Sequence, residues 1–185
     1  LGNELKKLKK NKFKKRDRFR IFMFMGSVDR KNFSLKILKI LSKKLFKKYK
    51  VLIIIGSNNP NKNLIKKYIK STENIKIINK DNINLKPIYD KTNFVVSAGG
   101  VTMYELLFYG FKPIVFPQNK TQLEISKSLN KSNYIHLMNI NNKKIQTIFF
   151  KILKNNQNFL NKSKRKSINK FITYGLKNIV NIISN

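Results

Sequence analysis

VVSAGGVTMYE, residues 95–105, runs from an apolar segment into two adjacent glycines and then into a helix-like pattern that carries a carboxylate at Glu105. A short apolar run without polar alternation reads as a strand buried on both faces. Adjacent glycines after it permit positive φ and close backbone approach. The following helix offers unpaired N–H groups at the positive end of its dipole. Strand, glycine pair and helix make one unit of a parallel sheet, and similar units recur along the chain.

Working outward, FRIFMFM (19–25) is an apolar run closed by Gly26. KNFSLKILKILSKKLFKKY follows, with Phe33, Ile37, Leu38, Leu41 and Leu45 on one helical face. VLIII (51–55) predicts a second strand, ended by GSNNPN, and NLIKKYIK a short helix. IKII (75–78) is a third strand, and Pro87 to Lys91 predict a brief helix. FVVS (94–97) is the fourth, followed by a helix over 102–109 that stops at Gly110. PIVF (113–116) makes a fifth strand, and TQLEISKSLN a helix with Leu123, Ile125 and Leu129 apolar.

Short strands alternating with helices predict a Rossmann-like three-layer α/β/α sandwich with a parallel sheet. Ligands of such sheets bind beyond the carboxyl ends of the strands. Gly26, Gly56, Gly99 and Gly100 all stand there. From Asn141 onward the pattern is helical, with a polar break around 155–167 and a last helix, LKNIVNIIS, expected to fold back on the body. The expected organisation is a basic arm over 1–18, a Rossmann-like domain over 19–155, and C-terminal helices over 156–185 packing back on it.

A chain of 185 residues, 41% apolar, suits one domain with a sizeable core. The absence of cysteine rules out disulfides and thiolate metal sites, and a single histidine argues against zinc. No metal or cofactor is expected. The apolar runs fall far short of the roughly 18–20 residues that cross a bilayer, and no signal-peptide pattern opens the chain. The expectation is a cytoplasmic protein, with peripheral contact at an anionic inner membrane face left open. Leu1 in place of Met suggests a fragment of something longer.

Forty-one Lys+Arg against eight Asp+Glu give a net charge of +33, which points to a polyanion partner. The lysines are scattered, however, and arginine, the residue whose fork reads phosphates and bases, is scarce. Lysine excess accompanies abundant Asn and Ile, all with A/T-rich codons. With no DNA- or RNA-binding signature, nucleic acid is the disfavoured partner.

The loop at residues 97–105 suits a phosphate or diphosphate, held by glycine and helix-end amides with Thr102 adding a hydroxyl. Glu105 lies three positions on, about 4.5 Å along the axis, where it would accept hydrogen bonds from ribose hydroxyls. Thr102 and Glu105 also have capping-box spacing, and spacing alone does not separate the two roles. Neither a Walker lysine nor G-x-G-x-x-G is present. MGSVDRKN (25–32) and GSNNPN (56–61) are glycine-led and polar, with Ser27, Ser57 and Asn58 as ligand-facing candidates and Asp29 or Asn32 as a helix N-cap. Gln122 either donates to an anion or occupies a first helical turn. His136 reads as a core or edge histidine.

VVSAGGVTMYELLFYGFKPIVFPQNKTQLEISKSL resembles the nucleotide-binding, C-terminal half of the GT-B fold in the glycosyltransferase family 28 C-terminal group. Within that group it resembles the UDP-sugar hydrolases of pseudaminic acid synthesis and their spore-coat polysaccharide relatives. IIIGSNNPN, VDRKNFSLKIL and YGLKNIVN are similar to further segments of that family, and LGNELKKLKKNKF to the region joining the two halves. The resemblance implies a UDP-sugar site. Gly99, Gly100 and Thr102 would face the diphosphate, Glu105 the ribose, and Gln122 the phosphate or sugar. The loops of Gly26, Ser27, Gly56, Ser57 and Asn58 would line the cleft.

The implied function is part of a UDP-sugar hydrolase, or alternatively of a family 28 glycosyltransferase. Either is incomplete without an N-terminal GT-B half in the same or a separate chain. Departures fall at Ser27 and Val28, where the family favours Gly and Ser, at Arg30 in place of Pro, and at Thr121 in place of Asn. Ile172-Thr173 and Asn178 also depart from the pattern. These keep open a third reading, a non-catalytic partner subunit.

Overall fold

The computed structural model describes residues 20–78, 85–155, 158–170 and 172. The expected arm over 1–18 and the last helix, LKNIVNIIS, lie outside them. Six strands form one sheet: β1 Arg20–Phe24, β2 Lys50–Ile54, β3 Ile75–Ile77, β4 Phe94–Ser97, β5 Ile114–Val115 and β6 His136–Leu137. All neighbours pair in parallel, in the order β3-β2-β1-β4-β5-β6. The helices are α1 Phe33–Leu41, α2 Lys62–Lys70, α3 Lys86–Asp90, α4 Val101–Phe108, α5 Lys120–Lys131 and α6 Ile145–Lys154.

Both faces of the sheet are covered, which is why the strands read as unbroken apolar runs. On one face Ile21, Met23, Val51, Ile53 and Val96 meet α1, α2 and α6 through Leu38, Ile65 and Phe149. On the other, Phe22 and Val95 meet Tyr89 of α3 and Leu106 of α4. Val115 meets Met103, Leu107, Leu160 and Ile168 there. Each fully buried large apolar side chain contributes about 1.5–3 kcal/mol. Leu160 N–H donates to Gly110 O at 2.8 Å and Lys112 N–H to Asn158 O at 2.7 Å, so residues 158–160 are bonded to the loop before β5.

Three expectations need correction. The helix after β1 does not reach Leu45. It ends at Leu41, where the Ser42 N–H turns back onto Leu38 O and Ile40 O. A 3-10 turn over Lys44–Phe46 then leaves Leu45 exposed and puts Phe46 into the core against Phe149 and Phe150. In α5, Leu123 and Ile125 are exposed and the buried residue is Ser126. This helix lies close against a glycine, which favours a small side chain over the apolar ones. The polar break around 155–167 is too long, since residues 162–170 are helical. Strand β6 was not anticipated, because two residues with a histidine make no apolar run.

Candidate functional site

Strand order reverses between β1 and β4, the place where doubly wound sheets open a crevice at their carboxyl ends. A crevice of about 380 Å³ lies there. One wall is the loop Gly26 to Asp29, the other is Ala98 with Gly100 to Thr102, and Gln118 and Gln122 lie between them. Gly26 has φ +87, a conformation open to glycine at little cost, and a Cβ there would meet nothing within 4 Å.

Asp29 holds the first wall in place. Its side chain is buried, and its backbone is left-handed, with φ 44. Oδ1 accepts the Phe33 N–H at 2.9 Å and Oδ2 the Ser34 N–H at 2.8 Å, so the carboxylate occupies the N-terminus of α1. Asn32 adds its own cap, accepting Leu35 N–H at 3.4 Å. Gln118 spans the crevice, donating from Nε2 to Met25 O at 2.7 Å and to Asp29 Oδ1 at 3.2 Å. Gln122 Oε1 in turn accepts the Gln118 N–H at 2.9 Å. The loops after β1 and β5 are thereby tied to each other.

Three helices begin beside the crevice, and their N-termini differ. That of α1 is filled by Asp29, and that of α5 by Asn119, whose Oδ1 accepts the Gln122 N–H at 2.8 Å. At α4 the N-cap is Gly100, with no side-chain cap and no acidic residue in the first turn. The capping-box reading of Thr102 and Glu105 therefore does not apply, because Thr102 already lies inside the helix. The Met103 N–H donates to Gly100 O at 3.0 Å, and the Val101 and Thr102 amides before it have no intrahelical acceptor. Beside them are Thr102 and the Gln122 Nε2 group, which comes within 3.7 Å of a Cβ built on Gly100. The result is a cluster of donors at the positive end of a dipole.

Adjacent glycines prove to have different roles. Gly99 is buried, and a Cβ there would meet Ser126 Oγ at 2.9 Å and Gln122 Cβ at 3.0 Å, so it serves the approach of α5. Gly100 is half-buried, has φ −100 and has space beside it. Gly56 is a contact glycine as well: its Cβ would fall 2.1 Å from Ser27 O.

Of the residues singled out from sequence, the crevice brings together Gly26, Ser27, Gly100, Thr102 and Gln122. Gly56, Ser57, Asn58, Gly99 and Glu105 are not on its lining. Glu105 is half-buried on α4, and its charge acts on Tyr89. Burial first, then Glu105 and Tyr109, hold the Tyr89 phenol far above its ordinary range. His136 lies on the edge strand β6. Sequence reasoning missed Gln118; its place directly after Pro117 at the end of a strand was the available signal. Among the described residues no Lys or Arg lines the crevice. Among the described residues no cluster suits a metal ion, and no helix is long and apolar enough to cross a membrane.

The family model described as glycosyltransferase family 28 C-terminal domain matches residues 20–179. An uncharacterised protein of Methanocaldococcus jannaschii is 30% identical over 132 residues, covering 67% of this chain and 26% of that protein. Among solved structures, Acinetobacter baumannii MurG is similar with a TM-score of 0.55 and 14% identity, over 91% of this chain and 48% of that one. The kitacinnamycin glycotransferase has a TM-score of 0.55 and 13% identity, over 88% and 43%. Those two likenesses establish the fold, that of GT-B glycosyltransferases. The chain spans about a quarter of the curated relative's length and less than half of each solved structure.

Proposed function

The chain belongs to the glycosyltransferase family 28 C-terminal domain family, and from that membership we propose that its crevice binds the nucleoside diphosphate part of a sugar donor, UDP being the nucleotide that the sequence resemblance implies. The observation that carries the reading is the uncapped N-terminus of α4, the one free helix end of the three beside the crevice. An anion there is met by main-chain amides, Thr102 and Gln122. Because no lysine or arginine among the described residues lines the crevice, the charge is balanced by dipoles at the site, while the net charge of +33 draws the anion in.

Transfer is the better-supported chemistry, since the matched family is one of glycosyltransferases. The hydrolase of pseudaminic acid synthesis has no counterpart among the relatives described above. In transfer, an acceptor hydroxyl oxygen bonds to the anomeric carbon as that carbon's bond to the β-phosphate oxygen breaks. The diphosphate leaves with the electron pair, and the hydroxyl proton passes to a base. Amides aimed at the leaving group stabilise the charge as it develops. Asp29, the carboxylate of the crevice, has both oxygens engaged, so the proton acceptor belongs to a partner half of the enzyme. Glu105 fits the ribose role if the nucleoside extends along α4 from Thr102. The alternative polyanion, nucleic acid, gains nothing from a crevice whose described lining holds no cation.

Gly100 gives a test that separates binding from folding. A Cβ at Gly100 meets only the end of the Gln122 side chain, at 3.7 Å, and the backbone is extended, so the melting temperature of Gly100→Val is expected to stay within about 2 °C of wild type. The branched side chain covers the α4 amides, and UDP affinity in calorimetric titration is expected to fall at least ~30-fold, as for the loss of about 2 kcal/mol of charged hydrogen bonding. Equal UDP affinity in a fully folded variant overturns the assignment.

A further inference from the structure

We propose that the opposite end of the sheet carries a second anion site, for a ligand bearing several phosphate groups. A concavity of about 760 Å³ opens there, at the amino ends of β1, β2 and β3. Five cations line it: Arg20 on β1, Lys47 and Lys48 before β2, Lys50 on β2 and Lys76 on β3. The nucleotide crevice has none among the described residues. In a chain whose lysines are otherwise scattered, the two concavities have opposite character.

The neutral polar groups around this concavity are already satisfied within the protein. Ser42 Oγ and Tyr68 OH share a hydrogen bond of 2.5 Å. Ser71 Oγ donates to Tyr68 O at 2.7 Å, and Thr72 Oγ1 to Ile69 O at 2.8 Å. Asn74 Nδ2 bonds Leu41 O at 3.2 Å and Tyr49 O at 3.1 Å, joining the end of α1 to the start of β2. What remains unmatched is charge. Arg20, Lys47, Lys50 and Lys76 form no ion pair among the described residues, although the carboxylate of Glu73 stands on the same lining. The Lys48 ammonium lies over the Tyr49 ring, 5.4 Å from its centroid.

Helix ends supply part of a counter-charge, since α1 and α2 terminate here at Ser42 and Ser71. Each brings about half a negative charge. Two such ends and Glu73 bring about two negative charges and do not balance the four positive charges of Arg20, Lys47, Lys50 and Lys76, so the concavity stays electropositive. A single phosphate would engage one or two ammonium groups. An oligophosphate, or closely spaced phosphodiesters, engages walls contributed by three strands at once. The site is remote from the crevice at the carboxyl ends and does not depend on the nucleotide reading.

Inorganic tripolyphosphate is the probe, titrated calorimetrically against the chain at low salt and again at physiological ionic strength. Replacing Lys47, Lys50 and Lys76 together by Gln is expected to lower its affinity at least ~tenfold through loss of charge-assisted contacts. The same change of net charge made at Lys127, Lys131 and Lys143, all exposed and outside the concavity, is expected to leave affinity within about twofold, the residue being screened long-range field. Both variants replace exposed lysines, and their melting curves are expected to match wild type.

Vesicles of phosphatidylglycerol distinguish the source of the phosphate. Vesicle binding that the first variant abolishes, and that tripolyphosphate displaces only in large excess, supports the site with lipid headgroups as its ligand. Tripolyphosphate binding that vesicles do not displace supports it with a soluble oligophosphate. Equal losses in both variants, or no tripolyphosphate binding by wild type, overturn the proposal. UDP affinity unchanged by the first variant keeps the two sites separate.

Discussion

Gly56→Ala is expected to destabilise the protein by about 3 kcal/mol, at the upper end of overpacking costs. At this chain length that lowers the melting temperature by roughly 6–12 °C. The reason is contact rather than conformation. A Cβ at Gly56 falls 2.1 Å from Ser27 O, 2.4 Å from its Cα and 2.5 Å from its carbonyl carbon. All three are main-chain atoms, so no rotamer change relieves the overlap, and the loops after β1 and β2 must part. The first of these loops forms one wall of the crevice, so UDP affinity is expected to fall together with stability. Gly26→Ala is the internal comparison: it carries strain from φ +87 but meets no atom, and is expected to cost about 1–2 kcal/mol. Thermal and urea unfolding measure both. A Gly56→Ala protein as stable as wild type would show that the two loops are not in contact.

Asp29→Ala is expected to cost about 3–4 kcal/mol, combining the loss of a buried helix cap with the loss of charged hydrogen bonds. Two α1 amides lose their acceptor, Gln118 loses one of its two ties, and a left-handed backbone is given to alanine. Asparagine tolerates that backbone region and retains one oxygen, so Asp29→Asn is expected to be the mildest change. Asp29→Gly relieves the conformation but not the lost acceptor, and is expected between the two. The emptied α1 N-terminus can then accept a small carboxylate from solution. Formate or acetate is expected to raise the melting temperature of Asp29→Gly more than that of wild type. An equal response in both proteins would mean that Asp29 does not fill that helix end.

Much of this arrangement was legible in the residues. FVVS matched β4 to the residue because both its faces are buried, and the glycines after β1, β2 and β4 marked the end of the sheet where the crevice opens. The assignment of each glycine was not legible. Gly56 and Gly99 exist for close approach of Ser27 and of α5, contacts between segments 29 and 23 positions apart in sequence. Thr102 and Glu105 fit a capping box by spacing, but the helix begins one residue earlier than expected, at Val101. That shift moves Thr102 from cap to first turn. The convergence of Arg20, Lys47, Lys50 and Lys76 was hidden among 41 basic residues, since only the pairing of β1, β2 and β3 brings them to one concavity. Leu123 and Ile125 misled for the converse reason: a tight contact at Gly99 set which side of α5 faces inward.

Amide chemical shifts measured during a UDP titration show whether the first amides of α4 hold a nucleoside diphosphate. Val101 and Thr102 are expected to shift furthest, with Gln122 side-chain and Gly26 and Ser27 amides following, and these changes are expected to saturate together. Shifts confined to the strand ends around Lys47, Lys50 and Lys76, or no saturable shift at Val101 and Thr102, would contradict it.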